Sequence, residues 1–98
     1  MDELLLSAVR LKVVAELLGA PWVSFPELMR ATDSTQGNLG AHLTRLVDGG
    51  YVAEQKRFVG RRPSTRYRIT ARGRRAFLDH VQTLRRIADS VNADEAAG

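Results

Sequence analysis

The stretch Phe58–Thr70 reads FVGRRPSTRYRIT. Its second half, Arg66-Tyr67-Arg68-Ile69-Thr70, alternates polar and apolar residues. Tyr67 and Ile69 therefore face one way and Arg66 and Arg68 the other, which is the period of a half-buried strand. Gly60-Arg61-Arg62-Pro63-Ser64 has turn composition. On its near side Phe58-Val59, and further back Tyr51-Val52-Ala53, supply the apolar positions of a partner strand. The spacing predicts a β-hairpin over about 51–70 with a basic tip.

The charge distribution gives that tip a direction. The chain has 98 residues and a formal net charge of +4, with 15 Lys and Arg against 11 Asp and Glu. Nine of the 15 basic residues lie between Lys56 and Arg75, a window without an acid. The remainder carries six basic and 11 acidic residues, a net of −5. A field polarised in this way points at a polyanion. Arginine outnumbers lysine in the window, which suits bidentate phosphate contacts.

Upstream of the hairpin the period changes to that of helices. Apolar residues recur over Glu3–Leu18 as Leu6, Val9/Val13, Leu17 and as Leu5, Leu11, Val14, Leu18, predicting a first helix that ends at Gly19 and Pro21. Ser24-Phe25-Pro26-Glu27 is a capping box, flanked by Val23 and Leu28 at staple positions, and predicts a short helix over Phe25–Ala31. Thr32-Asp33-Ser34-Thr35 is a turn rich in capping residues. A helix follows over about 36–47, with Leu39, Leu43 and Leu46 on one stripe and Asn38, Ala41, His42 and Arg45 on the other side. Gly49-Gly50 ends it. Two short helices joined by a tight turn form a helix-turn-helix candidate.

Downstream, Thr70 caps a last helix from Ala71 to about Val91. Its stripe of Phe77, Val81, Leu84, Ala88 and Val91 repeats at four, three, four and three, the spacing that seats a partner helix. Together with Leu5, Leu6 and Val9 of the first helix it forms the expected dimer interface. Residues 1–92 read as one domain and 93–98 as a flexible tail.

Several functions are disfavoured by what the chain lacks. It has no cysteine, which removes disulfides and thiolate metal sites, and two isolated histidines make no metal site. No Ser/His/Asp or Cys/His grouping, phosphate loop or paired acid sits in an apolar stretch, so an enzyme is the weakest reading and no cofactor is expected. No apolar run approaches a membrane span, and the start MDELLLSAVR does not match a signal peptide. A soluble, cytoplasmic protein is expected.

The order helix, helix, turn, helix, basic hairpin is that of a winged helix. The fold class expected is α+β: a mostly helical winged helix-turn-helix with a two- to three-stranded β-wing and a long C-terminal helix. Six segments then resemble a known family: Ser7–Leu11, Val23-Ser24-Phe25, Gln36–Leu39 with Ala41-His42-Leu43, Gly50-Tyr51-Val52, Gly60–Pro63 and Tyr67–Thr70. In that order and spacing, over roughly 4–84, they resemble the single-domain winged-helix regulators related to the MarR and ArsR types. The resemblance implies a homodimer on a palindromic DNA operator, and commonly repression. Three residues depart from the pattern: Ser34 replaces an aliphatic residue, Gly40 a serine, and Arg72 a glutamate in the first turn of the last helix. A cation there opposes the helix dipole unless an anion, DNA phosphate or a nearby acid, compensates it.

On this reading the second helix of the turn motif enters the major groove. Gln36, Asn38, His42 and Arg45 form its reading surface, since Gln and Asn can bond adenine edges and Arg can read guanine. Thr35 caps that helix beside the backbone. Lys56, Arg61, Arg62, Ser64, Arg66 and Arg68 form the wing surface on the backbone or in the minor groove. Blander roles are expected for His80, Arg74, Arg75, Arg85 and Arg86 as surface residues and for Trp22 as a core or strand-edge residue. A small-molecule effector would use the dimer cleft, where no charged anchor stands out. The competing readings are a winged-helix module for protein or RNA contacts, or a chromatin-type binder without sequence preference. Neither readily accounts for a polar recognition helix and a basic wing in one chain.

Overall fold

The computed structural model describes residues 2–97, with side chains through Ala93. A 3-10 turn at Glu3–Leu5 precedes α1 (Ala8–Leu18), β1 (Val23–Ser24), α2 (Phe25–Thr32), α3 (Gln36–Asp48), β2 (Val52–Val59), β3 (Arg62–Ile69) and α4 (Ala71–Ala97). The strands form one antiparallel sheet in the order β1-β3-β2.

The first helical pattern is divided at Ser7. The Ser7 hydroxyl accepts from the Arg10 amide at 3.3 Å and caps α1. A serine that can bond its own backbone three residues on favours a helix start over a helix interior. The residues before it form the separate 3-10 turn, capped by Asp2, whose carboxylate accepts from the Leu4 amide. This division sends Leu5 inward, where it is 1% exposed, and leaves Leu6 59% exposed.

Capping residues set the other boundaries as the sequence predicts. Ser24 accepts from the Glu27 amide and opens α2, and Thr35 accepts from the Asn38 amide and opens α3. Asp33 ends α2 in the left-handed region at φ 51°, a conformation that Asp tolerates better than most side chains. Ser34, standing where an aliphatic residue is expected, is half-buried and donates to the Thr32 carbonyl at 3.4 Å.

The hairpin is longer and tighter than composition suggests. β2 runs without a break from Val52 to Val59, and β3 already begins at Arg62, paired with Val59. Only Gly60 and Arg61 form the turn. Gly60 has φ 65°, the positive value that the first residue of a two-residue hairpin turn requires. Pro63 stands opposite Phe58, one step from the closing pair. There its missing N–H faces the free edge of β3 rather than the ladder.

The core is one cluster. Val13, Val14 and Leu17 of α1, Leu28 of α2 and Leu39, Leu43 and Leu46 of α3 pack with Val23, Val52 and Tyr67 of the sheet. Val23 pairs with Tyr67 across β1 and β3, so the sheet meets the helices through one face.

α4 leaves this body along a side set by Gly73. A Cβ on Gly73 would lie 2.2 Å from the Tyr51 carbonyl oxygen and 2.9 Å from Ile69 Cδ1. Glycine therefore permits the close crossing of α4 over the root of β2. Gly73, Ala76, Phe77 and His80 face the body, and His80 is only 4% exposed. This corrects the reading of His80 as a surface residue: it falls on the i, i+3, i+4, i+7 stripe that starts at Gly73. The helix also continues beyond Val91 to Ala97, a path that the strong helix formers Ala93, Ala96 and Ala97 favour. The 93–98 segment read as a tail thus follows α4 as far as Ala97; Gly98 lies outside the described residues.

Candidate nucleic-acid interface

α3 presents its polar side outward because Leu39, Leu43 and Leu46 fix the opposite side in the core. Gln36, Gly37, Asn38, Ala41, Thr44 and Arg45 are exposed. The Thr35 hydroxyl accepts from the Asn38 amide at 3.2 Å, while the amides of Gln36 and Gly37, in the first turn, have no intrahelical partner. A helix start of this kind carries partial positive charge and free donors, the elements of a phosphate contact.

His42 is not simply another member of that exposed row. It is half-buried, and its Nδ1 lies 2.9 Å from Nη1 of Arg10, 32 residues away in sequence on α1. Arg10 is itself held by the carbonyl of Leu4, 2.6 Å from its Nε, and more loosely by that of Glu3, 3.4 Å from Nη2. Burial first, then the positive charges of Arg10 and Arg45, depress the His42 pKa. The ring is therefore neutral at pH 7, and only Nε2 remains available for an external partner.

The hairpin register sorts the wing residues onto two faces. Gln55, Arg57, Val59, Arg62, Ser64, Arg66 and Arg68 alternate onto the outer face, while Glu54, Lys56, Phe58, Pro63, Thr65 and Tyr67 share the helix side. Tyr67 is buried, and burial, followed by the charge of Glu54 opposite it, raises its phenol pKa. Lys56 lies 3.9 Å from the Glu54 carboxylate, its own side chain 81% exposed, a pairing of little energetic weight.

Arg61 and Arg62 are exposed at the tip. Arg66 and Arg68 are not free in the same sense. Their guanidinium carbons lie 4.1 and 5.2 Å from the ring centroid of Trp22, and Arg66 also donates to the Gln55 side chain at 2.5 Å. Trp22, the single tryptophan, precedes β1 at the sheet edge and turns an otherwise bare outer face into a cation–π stack. Ser64 and Gln36 do come together. With Pro26, Pro63 and Thr65 they line a groove of about 420 Å³ between the helix starts and the wing.

The residues assigned to a dimer contact divide. Leu5 belongs to the chain's own core and is removed from that set. Val9 and Phe77 are half-buried and pack against the core, and Val81 is half-buried. Leu6, Leu84, Ala88 and Val91 are exposed, as are Leu78 and Ile87 on the same helix.

Arg72 makes no ion pair within 4 Å among the described residues. Its guanidinium carbon is 5.9 Å from the Tyr51 ring centroid, and it shares a cleft with Asp2, Asp79 and His80. The Tyr51 hydroxyl donates to the Asp2 carboxylate. Burial, then that bond, raises the Tyr51 pKa. The sequence carries no local sign of the Arg10–His42 or Trp22–Arg66 contacts, because each joins separate elements. The exposed Phe58, 73% accessible at the wing tip, was legible only as a strand residue.

The family model of the winged helix DNA-binding domain matches residues 9–88. An uncharacterized protein of Methanocaldococcus jannaschii is 32% identical over 85 residues, covering 87% of this chain and 92% of that protein. A transcriptional regulator homologue from Pyrococcus horikoshii OT3 superposes with a TM-score of 0.83 at 28% identity, over 92% of this chain and 89% of the other. A MarR-family regulator from Enterococcus faecalis V583 does so with a TM-score of 0.73 at 25% identity, over 97% and 84%. With these matches and a helix-turn-helix followed by a basic wing, the chain belongs to the winged helix DNA-binding domain family.

Proposed function

We propose that the protein is a cytoplasmic, non-enzymatic regulator that binds a palindromic double-stranded operator as a homodimer and represses by occupying it. The observation that carries this reading is the presence in one domain of an outward polar helix start and an exposed arginine pair at the wing tip. Gln36, Asn38 and Arg45 are exposed on α3, and Arg61 of the turn and Arg62 at the start of β3 are exposed at the wing tip, beyond the groove lined by Gln36 and Ser64. α3 lies in the major groove, where its side chains discriminate base edges. The wing arginines follow the backbone or enter the minor groove and supply salt-dependent affinity.

The exposed Leu84, Ala88 and Val91 of α4, with Leu6, meet the same residues of a second copy. Twofold pairing places two recognition helices roughly 34 Å apart, one turn of DNA. Selection of bound duplexes from a random library, with the mass of the complex measured in solution, tests the reading. A palindrome bound by two chains is expected. Binding without any recovered motif would favour a chromatin-type role, and absence of duplex binding would favour a module for protein or RNA.

A further inference from the structure

We propose that Arg10 sets the hydrogen-bonding sense of His42, so that the recognition helix offers DNA a donor, and no acceptor, at that position. The inference rests on the reading that α3 contacts DNA, and it concerns a positioning residue outside α3.

The argument starts from valence. A guanidinium has donors and no acceptor. Nη1 of Arg10 stands 2.9 Å from Nδ1 of His42, so Nδ1 must be the lone-pair nitrogen. The proton of the neutral ring is then on Nε2. A protonated ring would put an N–H against an N–H at that distance, which the geometry penalises directly. Arg10 cannot readily turn aside, because Nε is bonded to the Leu4 carbonyl at 2.6 Å and Nη2 approaches the Glu3 carbonyl at 3.4 Å. The 3-10 turn thus orients Arg10, and Arg10 orients the imidazole. The charged groups acting on the ring are Arg10 from α1 and Arg45 from α3, both cationic, and they favour the neutral form together with burial.

Among the described residues no group bonds Nε2, and it is not one of the buried unpartnered atoms. It lies on the α3 flank that carries Asn38 four residues before and Arg45 three residues after, both exposed. A lone Nε2–H there selects an acceptor: N7 of guanine or adenine, guanine O6, thymine O4, or a phosphate oxygen, so that among the bases only cytosine offers it none in the major groove. It rejects the amino groups of adenine and cytosine, which only donate. Freed from Arg10, the ring would have two tautomers and a proton to gain, and that selectivity would disappear.

Three measurements on the full chain decide this. Long-range ¹H–¹⁵N correlation of the free protein should show a pyridine-like Nδ1 and a protonated Nε2 on His42; a protonated Nδ1 overturns the proposal whatever the variants do. Selection from random duplexes should then be run on wild type and on Arg10→Met, which keeps the aliphatic stem. One operator position, distinct from the position that responds to Asn38→Ala, should lose a preference of about tenfold in the variant. If the acceptor is phosphate, affinity falls by a similar factor on all sequences and no base preference changes. The third readout is pH. Burial and Arg45 act on His42 in both proteins, so Arg10→Met removes only part of the depression, and its affinity for the selected duplex should begin to rise at a higher pH than that of wild type as His42 gains its proton. His80 is common to both proteins and cancels in that comparison. Identical motifs, affinities and pH profiles in the two proteins overturn the inference alone. Failure of wild type to recover any motif overturns the operator reading and this inference with it.

Discussion

The Thr70 hydroxyl donates to the Gly50 carbonyl at 2.6 Å, tying the last residue of the hairpin to the glycine turn that precedes it. The same oxygen accepts from the Gly73 amide at 3.0 Å and so caps α4, while the Thr70 amide donates to the Tyr51 carbonyl. One side chain therefore fixes the exit of α3, the root of the wing and the start of α4. Thr70→Ala removes the cap and a carbonyl partner, and should cost about 1–2 kcal/mol in chemical denaturation. Thr70→Ser should recover most of it; a serine variant as unstable as alanine would mean that the methyl group, not the hydroxyl, matters.

Gly40 lies in the middle of α3, and a Cβ there would meet nothing within 4 Å. No turn or close approach requires glycine at this position. Gly40→Ala should therefore raise the unfolding free energy by up to about 1 kcal/mol, the helix-propensity difference. A denaturation midpoint that fails to rise would show that the substituted helix packs differently.

The wing tip and the helix face should separate in binding experiments. Arg61→Ala or Arg62→Ala is expected to weaken all duplexes and to lower the slope of log K against log salt by about 0.9 each if one phosphate contact is lost. Asn38→Ala should cost about 1–3 kcal/mol on the selected site and relax the choice at one base pair. Titrations at several salt concentrations on specific and scrambled duplexes read both effects. Equal behaviour of the two classes would remove the division of labour.

Arg66 is engaged by Trp22 and Gln55 in the free protein. Its replacement by alanine should alter the emission of the single tryptophan and slightly lower the denaturation midpoint, as loss of an exposed cation–π contact requires. The salt dependence of binding should remain that of wild type. A slope lowered as in the tip variants would instead place Arg66 on phosphate.

α4 offers a contrast between association and folding. Leu84→Lys with Val91→Lys changes two exposed positions, and should yield a folded monomer in sedimentation with weakened operator binding. Leu5→Ala, in the core at 1% exposure, should cost about 2–5 kcal/mol of stability without changing the stoichiometry of whatever remains folded. A lysine pair that leaves the dimer intact would move the interface elsewhere.

Local chemistry made much of this molecule legible from residues alone. Ser24, Thr35 and Thr70 bond amides three positions on, and such caps need no distant partner. Leu39, Leu43 and Leu46 repeat at helical spacing, and Tyr67 and Ile69 at strand spacing, because periodicity reports which side of an element is buried. The arginine-rich turn with Gly60 and the polar start of α3 likewise showed in composition and order. Other features appear only when elements meet. Ser7 divides one apolar pattern into a turn and a helix, and the packing of that turn decides that Leu5 is core while Leu6 is surface. His80 is buried because Gly73 lets α4 cross the Tyr51 carbonyl closely. Arg66 is stacked because β1 brings Trp22 to the outer face, and His42 is oriented because α1 brings Arg10 beside α3. Periodicity identifies the buried side of each helix and strand, but the partner of a single polar side chain depends on how those elements pack together.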